Sequence, residues 1–315
     1  MNKEDIAFIV PLYNEGAVYG HLIERLNKIM DKASLAIRVI LVDDGSKDNT
    51  PELMAQTALN DDRYICVFLS RNYGHQIALS AGLKEAEAKE AIMIIDGDLQ
   101  DPPEMFFEFY EQFKKGYDVV YAVRRKRKES FFKKMAYYSF YRLMKKVATI
   151  NIPLDSGDFS LLSRRVVDAL NMMPEESRYL RGMRSWIGFK QIGLEYERQE
   201  RVAGDPKYSI RMLIRLAYNG IFNFSEYPIK FIQRIGLISI LASCGYLVTV
   251  ILKKFIWGTV PQGFTTLLFM IIFFSGVQLI AIGVIGEYIL RIFFQVKNRP
   301  LFIVRDKIIN QQFVK

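Results

Sequence analysis

Cysteine and histidine are scarce in this 315-residue chain, with two of each: Cys66, Cys244, His21 and His75. So few, so far apart, exclude a disulfide scaffold, a cysteine metal cluster and a His-rich zinc site. The cysteine usage fits a reducing compartment. Disorder is excluded as well, because 50% of residues are hydrophobic and only 24% are charged. No low-complexity segment or internal repeat is visible. Evenly spread charge is also lacking: residues 1–117 carry a net −8, residues 118–315 a net +17. An acidic front and a basic back do not make a uniform nucleic-acid coat, and no nucleic-acid partner is expected. They fit a chain that faces two environments.

The second environment is a bilayer. Ile235 to Leu252 is an unbroken uncharged run of 18 residues, enough as a helix to cross about 27 Å of hydrocarbon. After Lys253 and Lys254 a second run extends from Phe255 to Gly286, with Gly258, Pro261 and Gly263 marking a turn between two spans. Lys230 and Arg234 precede the first run; Arg291, Lys297, Arg299, Arg305 and Lys307 follow the second. Positive-inside counting predicts a multi-pass inner (plasma) membrane protein with both termini and the long front cytoplasmic. The start, Met1-Asn2-Lys3-Glu4-Asp5, is charged and its following apolar run is too short for a signal peptide.

The front alternates short apolar runs (Ile6–Val10, Arg38–Val42, Tyr64–Leu69, Ala91–Ile95, Asp118–Val123) with amphipathic stretches such as 16–32 and 103–115. That alternation predicts an α/β fold with a parallel sheet and a nucleotide-type site at the strand C-termini. Segments 130–150 and 209–225 carry apolar stripes at helical spacing beside basic residues, and are expected to lie in the membrane interface. The expected organisation is a cytoplasmic catalytic domain over 1–229, a transmembrane hairpin over 230–290 and a basic cytoplasmic tail over 291–315.

Acidic residues gather where strands end. Asp96-Gly97-Asp98-Leu99-Gln100-Asp101-Pro102 follows the fourth strand, and two carboxylates two apart in a turn can share one divalent cation. Asp43-Asp44-Gly45-Ser46 follows the second strand, Pro11-Leu12-Tyr13-Asn14-Glu15 the first. Each alone is also ordinary turn or capping chemistry. Together, at one edge of a sheet, they offer acceptors for a nucleobase and ribose. Among the basic residues at or between the interfacial segments, Arg127, Arg201 and Lys207 stand out as anion-binding candidates.

Pro11–Glu15, Asp43–Ser46, Arg71-Asn72-Tyr73-Gly74 and Asp96–Pro102 resemble the motifs of family 2 glycosyltransferases with the Rossmann-like GT-A fold. Asp155-Ser156-Gly157-Asp158-Phe159, Lys207-Tyr208-Ser209 and the two apolar runs narrow the resemblance to the polyprenyl-phosphate glycosyltransferases. It implies inverting transfer of a sugar, with UDP-glucose the first choice of donor, to polyprenyl (undecaprenyl) phosphate at the cytoplasmic membrane face. The product would serve cell-envelope glycan or lipid modification. By the same resemblance Pro11, Tyr13, Glu15, Asp43 and Asp44 hold the nucleoside, and Asp96 and Asp98 bind Mg²⁺ or Mn²⁺ with the donor diphosphate. Gln100 orients the sugar or a metal-bound water, and Asp158 is the family's candidate base. A homo-oligomer is implied too. The alternatives are the same fold with a glycolipid or polysaccharide acceptor, although a processive synthase usually needs more than two spans, and a catalytically silent membrane scaffold, against which the intact Asp96 and Asp98 argue. His75-Gln76 departs from the pattern, where small or basic residues are frequent.

Overall fold

A computed structural model describes residues 5–124, 156–176, 178–197, 227–257 and 263–314. The interfacial segments 130–150 and 209–225, with Arg127, Arg201 and Lys207, lie outside the described residues. Two compact units emerge: one holds the described residues up to 197 and from Pro300 onward, the other those from 227 to Arg299.

The first unit is built on β1 (Ile6–Leu12), β2 (Ile37–Asp43), β3 (Tyr64–Leu69) and β4 (Ala91–Ile94), which run parallel in the order β4-β1-β2-β3. All seven residues of β1 are buried, as a central strand covered on both faces requires. The helices between them are α1 (Gly16–Lys32), α2 (Thr50–Asn60) and α3 (His75–Glu85). In α1 the buried side chains Val18, Leu22, Leu26 and Ile29 recur at helical spacing, so one stripe faces the sheet.

The sheet is mixed, which corrects the expected parallel one. After a 3₁₀ turn and α4 (Phe106–Lys114) comes β5 (Val119–Arg124), but it does not neighbour β4. Strand β6 (Ser156–Ser163) lies between them, antiparallel to both. A strand arriving from the opposite direction hides its polarity in the sequence, because alternation does not record chain direction. Helices α5 (Arg164–Met172) and α6 (Leu180–Ile187) follow, and β7 (Gln191–Tyr196) pairs parallel to β5 at one edge. Aromatic packing ties these parts together: Phe8 meets Phe106 at 5.0 Å, Phe109 meets Phe159 at 5.2 Å, and Phe159 meets Tyr196 at 6.0 Å.

The second unit consists of α7 (Tyr227–Trp257) and α8 (Phe264–Val296). Each contains a 27-residue stretch long and apolar enough to cross a membrane, Tyr227–Lys253 and Met270–Val296. Their apolar side chains, Leu237, Leu241, Ile271 and Ile280 among them, are exposed rather than packed in a core. The end of the chain then returns to the first unit. Strand β8 (Val304–Ile309) pairs antiparallel to β3, and β9 (Gln312–Val314) pairs to β8. Part of the segment expected as a basic cytoplasmic tail over 291–315 thus joins the sheet: Ile308 is fully buried opposite Cys66, and Lys307 pairs with Glu85 at 2.7 Å.

Candidate active site

The C-terminal ends of β1, β2 and β4 meet, and their loops are sewn together by side chains. The Asn14 amide N–H donates to Ser46 Oγ at 2.9 Å, and Asn14 Oδ1 accepts from the Lys47 N–H at 2.8 Å. Glu15 N–H donates to Thr50 Oγ1 and Gly16 N–H to Asp48 Oδ2. Pro11, Tyr13 and Glu15 thus lie at the same edge as Asp43 and Asp44, with Pro11 paired to Val42 in the ladder.

Asp43 and Asp44 divide their work. Asp43 is buried; its Oδ1 accepts from the Ser46 N–H, while its Oδ2 has no hydrogen-bond partner. Such an oxygen is an open acceptor in a place where unmet polar atoms are costly. Asp44 instead accepts from the N–H groups of Tyr73 (2.7 Å) and Gly74 (2.9 Å), and so anchors the loop that leads into α3. Burial pushes its carboxyl above the ordinary range, and these two donors pull the other way. Gly45 has φ +69°, and a Cβ there would sit 2.6 Å from the backbone of Arg71 and Asn72. The β2 and β3 loops touch there, and only glycine fits.

Asp96 and Asp98 follow β4. Between them a Cβ on Gly97 would come within 2.5 Å of Leu12 Cδ2 and 3.0 Å of the Pro11 carbonyl, so the turn presses on the β1 loop. Leu99, buried, takes φ +56°, a left-handed conformation that costs a non-glycine residue about 1–3 kcal/mol. The Gln100 N–H closes the turn on Asp98 Oδ1 at 3.2 Å. Asp101 is fully buried, accepts from the Tyr196 hydroxyl and lies 3.9 Å from Arg124 Nη2. Asp96 Oδ1 is buried without a hydrogen bond. Burial, with help from the carboxylates of Asp101, Asp158 and Asp98, pushes Asp96 up to about 6, His75 opposing.

Asp158, on β6, is the centre of a second cluster. Arg181 on α6 grips it in a fork, Nε to Oδ1 at 3.0 Å and Nη2 to Oδ2 at 3.1 Å. Gln76 Nε2 adds a third donor at 2.8 Å, and Gln76 Oε1 accepts from the Leu180 N–H. His75 stands between the two acidic groups, its Nε2 3.4 Å from Asp158 Oδ2 and 3.5 Å from Asp96 Oδ1. Burial alone would raise the Asp158 pKa, but Arg181 and His75 outweigh it and hold the carboxyl well below the ordinary range. Burial disfavours charge on His75 too, yet Asp158 and Asp96 raise its pKa above the usual value.

The site thus combines an open carboxylate acceptor, a strained Asp-x-Asp turn with an unmet oxygen, and a locked carboxylate. The model of Glycosyl transferase family 2 matches residues 7–170. The chain belongs to glycosyl transferase family 2. It is a glycosyltransferase, and its mixed sheet is of the GT-A type. An uncharacterized glycosyltransferase of Bacillus subtilis (strain 168), YkcC, is 42% identical over 300 residues, 95% of this chain and 93% of that one. The SfII prophage-derived bactoprenol glucosyl transferase of Shigella flexneri is 36% identical over 301 residues, 95% of this chain and 97% of its own. A prophage bactoprenol glucosyl transferase homolog of Escherichia coli (strain K12) is also 36% identical, over 95% of this chain and 98% of its own.

In this family 2 glycosyltransferase the structure brings Pro11, Tyr13, Glu15, Asp43, Asp44, Asp96, Asp98 and Gln100 to the loops at the strand ends, with Asp158 linked to Asp96 through His75. The geometry adds His75, Gln76 and Arg181. Their signal was faint, His75-Gln76 standing out in the sequence only as a departure from the family pattern. Among the described residues no three His, Cys, Asp or Glu side chains gather tightly enough to hold a metal unaided. Two hard carboxylates, one with an unmet oxygen, do fit a Mg²⁺-type ion that takes its other ligands from water and phosphate.

Proposed function

We propose that this protein transfers glucose from UDP-glucose to polyprenyl phosphate, with inversion, at the cytoplasmic face of the membrane. The observation that carries the reading is near full-length similarity to proteins named bactoprenol glucosyl transferase, apolar helices included. A lipid acceptor needs an enzyme held at the bilayer, and α7 and α8 are suited to that. The β8–β3 pairing keeps the chain on either side of these two helices in one compartment, as an even number of crossings requires. The basic residues flanking the helices support the cytoplasm as that compartment.

Asp43 Oδ2 would accept from the nucleoside, alongside Tyr13 and Glu15. Asp96 and Asp98 would hold Mg²⁺ or Mn²⁺, which neutralises charge on the departing diphosphate. Gln100 follows in the same turn and would orient the sugar. Asp158 would hold Arg181, Gln76 and His75 in place around the reacting centre, leaving the acceptor's own ionisation to supply the nucleophile. A phosphate monoester loses its second proton near a pKa of about 6, so its oxygen arrives already charged. Attack by that oxygen on the anomeric carbon breaks the sugar–diphosphate bond and inverts the centre. Arg127, Arg201 and Lys207 complete the proposal as lipid-phosphate contacts.

The full-length protein in detergent, given a panel of nucleotide sugars and polyprenyl phosphate, tests this by mass spectrometry of the lipid product. A polyprenyl-phosphate hexose from UDP-glucose is expected, stopped by excess EDTA and by Asp98→Asn. Sugar appearing on diacylglycerol or polysaccharide instead, or turnover indifferent to EDTA, contradicts the proposal.

A further inference from the structure

Behind the Asp158–Arg181 fork lies a second arginine with a different status. Arg184 sits three residues after Arg181 on α6, so the two share a helix face. It is only 3% exposed, and its Nε and Nη2 atoms are buried with no hydrogen-bond partner. Its guanidinium lies over the Tyr121 ring, 4.9 Å from the centroid. Arg184, Arg181, Asp158 and Ser160 line one small cavity otherwise walled by aliphatic side chains. The Ser160 hydroxyl already donates to the Asp158 carbonyl, and the Asp158 carboxylate is saturated by Arg181 and Gln76.

Two guanidiniums therefore line a cavity that holds one carboxylate, and Arg181 is the one that grips it. Burial lowers the Arg184 pKa to about 10, which still leaves it charged at neutral pH. A buried cation whose N–H groups lack acceptors weakens a fold, and such a group persists where function needs it. One positive charge in excess beside a reacting centre calls for an anion, and guanidinium matches phosphate in a planar fork. Arg181, with 24% of its side chain exposed, is the member an incoming group can reach.

We propose that Arg181 and Arg184 form a phosphate subsite for the acceptor, Arg181 making the contact. Arg184 is a positioning residue: it keeps Asp158 neutralised when Arg181 is shared with the incoming phosphate. This rests on the polyprenyl-phosphate reading above.

Arg184→Met and Arg184→Lys in the full-length protein, in detergent micelles, separate the outcomes. Without ligand, Arg184→Met should melt at the wild-type temperature or above, since it removes an unmatched buried charge. Its KM for polyprenyl phosphate should rise about tenfold or more, while the KM for the donor holds and Arg184→Lys retains most of the wild-type acceptor affinity. The thermal stabilisation that polyprenyl phosphate gives the wild type should be lost in Arg184→Met. An unchanged acceptor KM in Arg184→Met overturns the inference, as does a rise in donor KM alone, which would assign the charge to the donor diphosphate. Inorganic phosphate stabilising the protein as well as the lipid at equal concentration would overturn the lipid assignment. Should Arg184→Met fail to fold, an Arg184→Lys variant with acceptor KM raised as far as in Arg181→Met also overturns it. A wild type that never glycosylates polyprenyl phosphate is a separate failure, that of the functional reading itself.

Discussion

A carboxylate gripped by an arginine fork and an amide, with an imidazole 3.4 Å away, is a poor base, because protonating it discards those bonds. With its pKa held well below the ordinary range, Asp158 stays ionised across the neutral range. The activity of the wild type should rise through pH about 6, where the lipid phosphate loses its second proton. Asp158→Asn should be slower and keep that same rising limb. If the variant loses the limb while lipid binding survives, Asp158 is the titrating base. The stability consequence has a definite sign. A depressed carboxylate stabilises the fold above the unfolded value of about 3.9 and loses that contribution as pH falls through its folded pKa. Breaking such a buried pair costs about 3–5 kcal/mol, so Asp158→Asn should melt well below the wild type at pH 7. The gap should narrow below pH about 4, which melting curves at several pH values will show. Asp158 itself was legible, since its motif stands in one short run. Its partners were not: Gln76 precedes it by 82 residues, and nothing local in either sequence points to the other.

Among elements, the first five strands were readable within a residue or two, because buried apolar runs bounded by turns have few other readings. Strands β6 and β8 escaped for different reasons. The former was read as a motif, Ser-Gly-Asp-Phe, whose strand character depends on fitting between β4 and β5. The latter, Val304–Ile309, mixes Arg, Asp and Lys with Val and Ile, as suits a strand near a sheet edge. What β8 covers is testable. Cys66 is fully buried and burial raises its thiol pKa, so in a Cys244→Ala background a thiol reagent should leave the native protein unlabelled. Removing residues 300–315 uncovers the β3 edge beside Cys66. The truncated protein should label rapidly or aggregate through that edge, and unchanged protection would show that β8 contributes little.

For the whole molecule, the sequence spoke most clearly through its imbalance of charge and its two apolar runs, since bilayer thickness and surface potential act on composition rather than on contacts. The orientation proposed here is open to direct measurement. In the same Cys244→Ala background, a cysteine introduced at Thr259, between the two helices, should react with an impermeant reagent added outside intact cells. One at Gln312 should not, and reversed labelling would refute the cytoplasmic placement. The return of β8 to β3 also sets an order of assembly. While the ribosome is still making α7 and α8, the sheet has every parallel strand but lacks the hairpin that closes its β3 side. A pairing that waits until both apolar helices have been made is slow to form and leaves an adhesive edge exposed meanwhile. Completion of the sheet thus falls after both apolar helices have been made, and the β3 side is the last flank of the first unit to be covered.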